Sequence, residues 1–406
     1  MVSSGETPTL VDLFCGAGGL SLGFQRAGFR PIRAIDNWKP AIYTYQANIG
    51  GHVMEENITE FSEIPKSTVI AGGPPCQGFS SAGKRRDDDE RNSLVTVFAR
   101  IVARKKPQAF VFENVEGFLT GADGRFVLDL LAPVLEAGYR VHLRKINAAN
   151  YGVPQHRKRV VAIGGLGWDP SFPQPTHSAH GAPGAHLAAK LLTPTPCLAE
   201  SLADLPPPSD CEPGTPPDHV SKPLEGLDLA RAELLQPGQR MRDLPEKLWH
   251  DSYRRRAFRR VMDGMPTERR GGAPSGVRRL RADEPSKSIT GGSLRDFLHP
   301  SEHRPLTNRE CAHLQTFPDD FVFFGSKADR AQLIGNAVPP LLARIIAELL
   351  LSDLNAPQEI KSGGALLTFV PTLSSGMSPA LESVASRVRR RFGVGVQKEL
   401  QRALWD

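Results

Sequence analysis

No apolar run in this chain of 406 residues is long enough to cross a bilayer. The best, Leu341–Leu351, is short and broken by Arg344 and Glu348, so no membrane partner is expected. Missing too is an N-terminal basic stretch followed by an apolar core, so no export signal is read. The five cysteines are scattered, with no Cys-x-x-Cys pair. That pattern argues against a disulfide framework and against a zinc cluster; no metal is expected, and a reducing cytoplasm is the default setting. What is there is ordinary soluble material, 40% hydrophobic and 23% charged, in a length that suggests two domains or one large α/β domain with an insertion.

Charge is unevenly spread. The net charge is +6, but Arg240 to Arg281 alone holds thirteen Lys/Arg and five Asp/Glu, a local +8 on a body of −2. A basic segment on a near-neutral body is the footprint of a nucleic-acid partner, although a solvated arginine-rich surface has the same composition.

The first 165 residues alternate short apolar runs with helix-like segments. Thr9–Phe14, Pro31–Ile35, Thr68–Ala71, Ala109–Phe112 and Arg159–Ile163 read as strands. Leu20–Ala27, Lys39–Asn48, Ser93–Ala103 and Phe126–Ala137 read as helices. This rhythm predicts an α/β fold with a mostly parallel, Rossmann-like sheet wrapped on both faces, its functional loops at the carboxyl ends of the strands. Residues 166–285 are different, first rich in Pro, Gly, Ser and His and then basic, and read as a smaller irregular domain. Residues 286–352 return to the first pattern with an amphipathic helix at Leu341–Leu351. Residues 353–406 read as a polar tail ending in a basic helical stretch that includes Leu381–Arg391.

Two loops carry chemistry. Phe14-Cys15-Gly16-Ala17-Gly18-Gly19 sits where the first strand turns into the first helix, where glycines let a ligand approach the backbone or let helix and strand pack closely. A dinucleotide fingerprint needs Gly or Ala at the position held by Ser21, which disfavours a nicotinamide cofactor. Asp36 ends the second strand and can accept both hydroxyls of a ribose, so an adenosine-containing ligand fits. The second loop is Gly72-Gly73-Pro74-Pro75-Cys76-Gln77-Gly78-Phe79-Ser80. Two prolines stiffen the backbone before Cys76, and a thiol held rigidly at the sheet edge is a candidate nucleophile. Cys15 is its rival, inside the presumed ligand turn.

These segments resemble the DNA (cytosine-5) methyltransferase family of bacterial type, which uses S-adenosylmethionine. The resemblance continues in order through Phe112-Glu113-Asn114-Val115, Gln155-His156-Arg157-Lys158-Arg159, Arg309-Glu310, Leu314-Gln315-x-Phe317-Pro318 and Gly335-Asn336-x-Val338-Pro339, covering most of residues 9–165 and 306–350. It implies an S-adenosylmethionine-dependent methyltransferase domain, with residues 166–285 as its target-recognition domain. It further implies that Cys76 attacks carbon-6 of a flipped cytosine, that Glu113 stabilises the adduct near N3, and that Arg157 binds the base carbonyl oxygen. Arg159 is expected to organise the site through carboxylate pairing, and Gln77 and Ser80 to support the displaced base or its phosphate. For the cofactor, the resemblance points to Phe14, Gly16, Ala17, Gly18, Gly19, Asp36, Asn37, Asn57, Pro74, Asn336 and Ala337. Asn37 stands where the family often has an aromatic, and Asn57 where it often has an Asp that accepts from the adenine amino group. An amide can still accept there.

For DNA, Arg254, Arg255, Arg256, Arg259 and Arg260 lie at helical spacing and are expected to face phosphates. Arg269, Arg270, Arg278 and Arg279 flank glycines and are expected to reach a groove edge. The expected partners are duplex DNA and a cognate restriction endonuclease, with the enzyme acting as a monomer. The competing readings are an RNA cytosine methyltransferase on the same scaffold and a catalytically dead DNA-binding relative. The joint presence of Cys76, Glu113 and Arg157 argues against the second.

Overall fold

The computed structural model describes residues 7–59, 62–75, 93–178, 192–210, 216–254, 276–373 and 376–394. Strands β1 (Thr9–Leu13), β2 (Arg30–Asp36), β3 (Val53–Glu55), β4 (Val69–Gly72), β5 (Ala109–Val115) and β6 (Tyr139–Asn147) are followed by the two-residue β7 (Gln155–His156) and by β8 (Lys158–Leu166). Helices α1 (Gly19–Arg26), α2 (Lys39–Asn48), α3 (Ser93–Lys105) and α4 (Arg125–Glu136) alternate with the early strands. The boundaries match the periodicity to within a few residues.

One eight-stranded sheet results, in the order Ala365–Val370, β6, β8, β5, β4, β1, β2, β3. All neighbours are parallel except β8, which runs antiparallel to both β5 and β6. Chain length explains the exception: the link from Asn147 to Lys158 is too short to hold a crossover helix, so β8 must return in the opposite sense. Three strands of this sheet went unread in the sequence, the shortest being Val53–Glu55. Tyr139–Asn147 is masked by its charges (Arg140, His142, Arg144, Lys145), and Ala365–Val370 lies in the stretch taken for a polar tail. That stretch belongs to the catalytic unit: its strand pairs with β6, and the helix Pro379–Phe392 buries Val384, Ala385 and Val388 in the same core.

On one face of the sheet, α3 and α4 pack around Phe98, Phe110, Phe112 and Leu130. On the other face, α1 packs against the helix Pro340–Asn355 through Phe24, Leu342, Ala343 and Ile346. A Cβ on Gly23 would lie 2.5 Å from that of Ala343, so glycine is what lets the two helices approach this closely. The stretch Lys327–Asn355 is apolar and long enough by composition to span a bilayer. It is nevertheless two helices, Lys327–Asn336 and Pro340–Asn355, separated at Ala337–Pro339 and with their apolar faces in the core.

Residues 192–298 contain short helices and two-residue strand pairs, such as Arg278–Arg279 with Phe297–Leu298. Their own small core is Ala232, Leu235, Met241, Leu244, Leu248, Tyr253 and Val277 with Leu298. Leu280, Ile289 and Phe297 share a second cluster with Leu314, Phe317 and Ile334, so the return to the catalytic pattern has no clean boundary at 285.

Candidate active site

The carboxyl edge of the parallel strands gathers the candidate groups. At the end of β1 the chain turns sharply. Phe14 adopts φ 62°, a left-handed conformation unusual for a side-chain-bearing residue, and Gly16 (φ 53°) and Gly18 (φ 86°) follow. The glycines do different work. A Cβ at Gly18 would meet the Ile49 side chain at 2.2 Å, and one at Gly19 the Val338 carbonyl at 2.2 Å, so both are required for packing. Ala17 is likewise buried in an apolar cluster. A Cβ at Gly16 would meet nothing within 4 Å, so that side of the turn is open.

Asp36, at the end of β2, accepts from the Gly16 N–H at 2.9 Å and from the Trp38 N–H at 3.0 Å. Burial raises its pKa against the pull of those N–H groups. The exposed Asn37 donates to Asn57 at 2.8 Å, which places these two amides together at the mouth. Asn336 is exposed and accepts from Gln332 at 2.7 Å.

At β4 and β5 the geometry tightens. Glu113, nearly buried, lies 2.8 Å from Nε of Arg159, and a Cβ on Gly73 would sit 3.3 Å from its Oε2. Asn114 donates to the Pro74 carbonyl at 3.3 Å and accepts from the Val115 N–H. The adjacent carboxylate and amide of β5 thus hold the start of the Pro-Pro-Cys loop. Asn114 had been quoted only as part of a motif; its polar side chain at a buried strand end was the available signal. Cys76, Gln77 and Ser80 lie outside the described residues. Cys15 is buried, and burial together with Asp12 and Asp36 drives its thiol well above the usual range, which disqualifies it as the resting nucleophile.

Arg159 pairs with a carboxylate as expected, whereas Arg157 does not face the site. Arg157 is fully buried and donates to the carbonyls of Ile289 (2.8 Å), Gly335 (3.0 Å) and Ala337 (2.8 Å). A guanidinium fully buried among backbone carbonyls cannot reach a base carbonyl, so the contact expected of Arg157 is corrected. It staples the C-terminal Gly335–Ala337 segment to β8 and to Ile289. Gln155 extends this network, donating to Leu314 O and Gln315 and accepting from the Ile289 N–H. Arg159 is the arginine that flanks Glu113.

The basic cluster divides. Arg279 is 3% exposed and donates to the carbonyls of Leu235, His299, Glu302 and Ala232. It cannot reach a groove edge, and that expectation is withdrawn. Arg278 is half-buried in a strand pair. Arg254 lies at the surface, donating to the Glu246 carbonyl and near the carboxylates of Glu246 and Asp251. Arg255, Arg256, Arg259, Arg260, Arg269 and Arg270 lie outside the described residues. Among the described residues no group of His, Cys, Asp and Glu could hold a metal.

Comparison with known proteins shows the family. The C-5 cytosine-specific DNA methylase family matches residues 9–183 and 231–352. The Type II methyltransferase M1.HphI of Haemophilus parahaemolyticus is 35% identical, over 84% of this chain and 86% of its own. The Type II methyltransferase M.AgeI of Thalassovita gelatinovora is 33% identical, over 83% of this chain and 98% of its own. Among solved structures, an E. coli prophage protein described as a DNA modification methyltransferase superposes with a TM-score of 0.62 at 24% identity, over 86% of this chain and 100% of its own. The S. pombe Dnmt2 methyltransferase superposes with 0.51 at 14%, again over 86% and 100%. The fold is that of the S-adenosylmethionine-dependent methyltransferases. The chain belongs to the C-5 cytosine-specific DNA methylase family, and is a DNA (cytosine-5) methyltransferase.

Proposed function

We propose that the chain methylates cytosine within a specific duplex sequence through a covalent Cys76 adduct on a flipped base. The observation that carries this reading is the Glu113–Arg159 pair, 2.8 Å apart and set against Gly73, three residues before Cys76. The open side of Gly16, with Asp36 beside it and the Asn37–Asn57 pair at the mouth, suits S-adenosylmethionine. Asp36 would accept from the ribose, one of the amides would meet the adenine amino group, and Phe14, Pro74 and Asn336 would complete the walls. Bound there, the cofactor supplies an electrophilic methyl group on a sulfonium sulfur.

Carbon-5 of cytosine is too weak a nucleophile to take that methyl unaided. The Cys76 thiolate adds to carbon-6, forming a C–S bond and pushing electron density to carbon-5. Glu113 provides the proton or hydrogen bond at N3 that stabilises the charge developing on the ring. Arg159, beside that carboxylate, is the group able to meet the base carbonyl oxygen; Arg157 acts one step back, as a positioning residue. Once carbon-5 carries the methyl group, loss of its proton to a base or water expels the Cys76 thiolate and restores the ring. Carbons 5 and 6 of a stacked cytosine are inaccessible, so the base must leave the duplex. Residues 166–285 would choose the sequence. The Type II relatives support a role in protecting that sequence from a cognate endonuclease.

The test is transfer of labelled methyl from S-adenosylmethionine to duplex DNA, with RNA in parallel and the modified sites read by conversion sequencing. Cys76→Ser should abolish turnover, since a hydroxyl cannot supply the anion at neutral pH. DNA containing 5-fluorocytosine should trap a covalent adduct with the native protein. An equal adduct with Cys76→Ser overturns the assignment.

A further inference from the structure

The helix Pro379–Phe392 lies outside the residues that match the family. It docks through Val384, Ala385 and Val388 and leaves Arg387, Arg390 and Arg391 exposed. Its seat is the start of α4: a Cβ on Gly124 would lie 2.6 Å from Val384, and Arg387 donates to the Asp123 carbonyl. Arg125, at the first position of α4, is 76% exposed along its side chain and only loosely paired with Asp129 at 3.6 Å. Arg391 and Arg100 of α3 act on the same Asp129. Asp123, Asp129 and Glu382 are the acids of this patch, fewer than its arginines.

Position gives the patch meaning. The start of α4 follows β5, whose end carries Glu113 and Asn114, so Arg125 and Arg387 lie toward the edge that holds the candidate site, and Arg391 lies about a turn further along α4, near Asp129. The recognition segment and the C-terminal return pack on another side, around Ala17, Leu22 and Ala41. A duplex held at the site would have the recognition segment on one flank and these arginines on the other. We propose that Arg387, Arg390 and Arg391, with Arg125, form a second phosphate-binding surface that grips duplex DNA beside the recognition sequence. Such a surface adds affinity and carries no sequence information, because phosphates are alike at every step.

Replacing Arg390 and Arg391 by Gln preserves helix propensity while removing two exposed charges. Binding is measured against salt on a duplex of about one turn that holds only the modification site, and on one of about four turns. On the long duplex, affinity should fall about tenfold and the salt slope by about two. On the short one neither should change, and discrimination against mismatched sites should hold on both. The Arg390→Lys, Arg391→Lys variant should restore the long-duplex slope, because a phosphate needs only the charge. An unchanged slope on the long duplex overturns the proposal. So does an equal loss on both lengths, a failure of lysine to restore binding, or a loss seen only with single-stranded RNA. Methyl transfer to the short duplex should persist throughout, so failure here is distinguishable from failure of the catalytic reading.

Discussion

The sheet and the irregular segment at 192–298 are held together by different means. In the sheet, backbone ladders satisfy the polar groups and interlocking aromatics such as Phe98, Phe110, Phe112 and Phe118 fill the space between layers. In residues 192–298 strands are two residues long, and arginine side chains take over the ladder's work. Arg279 satisfies four carbonyls from two separate segments, 232–235 and 299–302, and Arg231 donates to the Leu248 carbonyl at 2.6 Å. Arg309 ties Pro217 in the irregular part to Pro318 and Phe321 in the return. Positive charge in such a segment is therefore partly mortar, and the net +8 counted from the sequence overstates what is offered to DNA.

The largest expected effect tests that contrast. Arg279→Ala would strand several buried carbonyls and should cost about 3–5 kcal/mol, unfolding the segment around Met241 and Tyr253. Arg279→Lys should fare little better, since one ammonium cannot reproduce a planar fork serving carbonyls on both sides. Limited proteolysis should cut within residues 216–298 while the sheet resists. A variant as resistant as the parent would show that Arg279 is dispensable mortar.

How much was legible follows from the same difference. The glycine turn with Asp36 beside it could be read because a sharp strand-to-helix turn demands those residue types there, and Glu113 was reached through the family resemblance. Apolar alternation marked the inner strands, but Tyr139–Asn147 was hidden because Arg144 and Lys145 are buried by tertiary contacts that periodicity does not encode. The carboxylate pairing of Arg159 was legible, but the burial of Arg157 was not, because both sit in one short motif. Only the fold shows that one faces Ile289 and Ala337 and the other Glu113. Arg279 was misread for a similar reason, since a charge enclosed by carbonyls looks in sequence like a charge in solvent.

A second prediction belongs to the sheet, where a side-chain chain is embedded behind the glycine turn. Ser21 donates to Asp12 at 2.6 Å, Tyr45 donates to Ser21 at 2.9 Å, and the Tyr45 hydroxyl lies 2.9 Å from Nε2 of His52. Asp12 is 1% exposed, and burial, with a smaller push from Asp36, raises its pKa to about 7. A carboxyl whose pKa is raised on folding binds its proton more tightly in the native state. Its contribution is full below the unfolded value near 3.8 and is lost as pH rises through about 7. Native stability should therefore decline across that window by something of order 3 kcal/mol from this group. Asp12→Asn should remove that slope, so the difference between the urea midpoints of parent and variant should change between about pH 4 and pH 7 and stay constant above pH 7. Parallel curves would show that Asp12 stays ionised.

The smallest effect falls on Arg254, the opposite of Arg279 within the same segment. Its guanidinium is held by one carbonyl at 2.9 Å and by carboxylates 3.6 and 4.0 Å away, with 37% of the side chain exposed. Exposed pairs of this kind contribute little, so Arg254→Ala should change stability by less than about 1 kcal/mol. If the arginine serves phosphate, the substitution should lower affinity for cognate and mismatched duplexes alike and reduce the salt slope by about one. The two readouts separate mortar from contact: Arg279 should move stability far more than salt dependence, and Arg254 the reverse. Should Arg254→Ala leave the slope intact, its charge is spent on Glu246 and Asp251, and DNA must be gripped by other arginines of the segment.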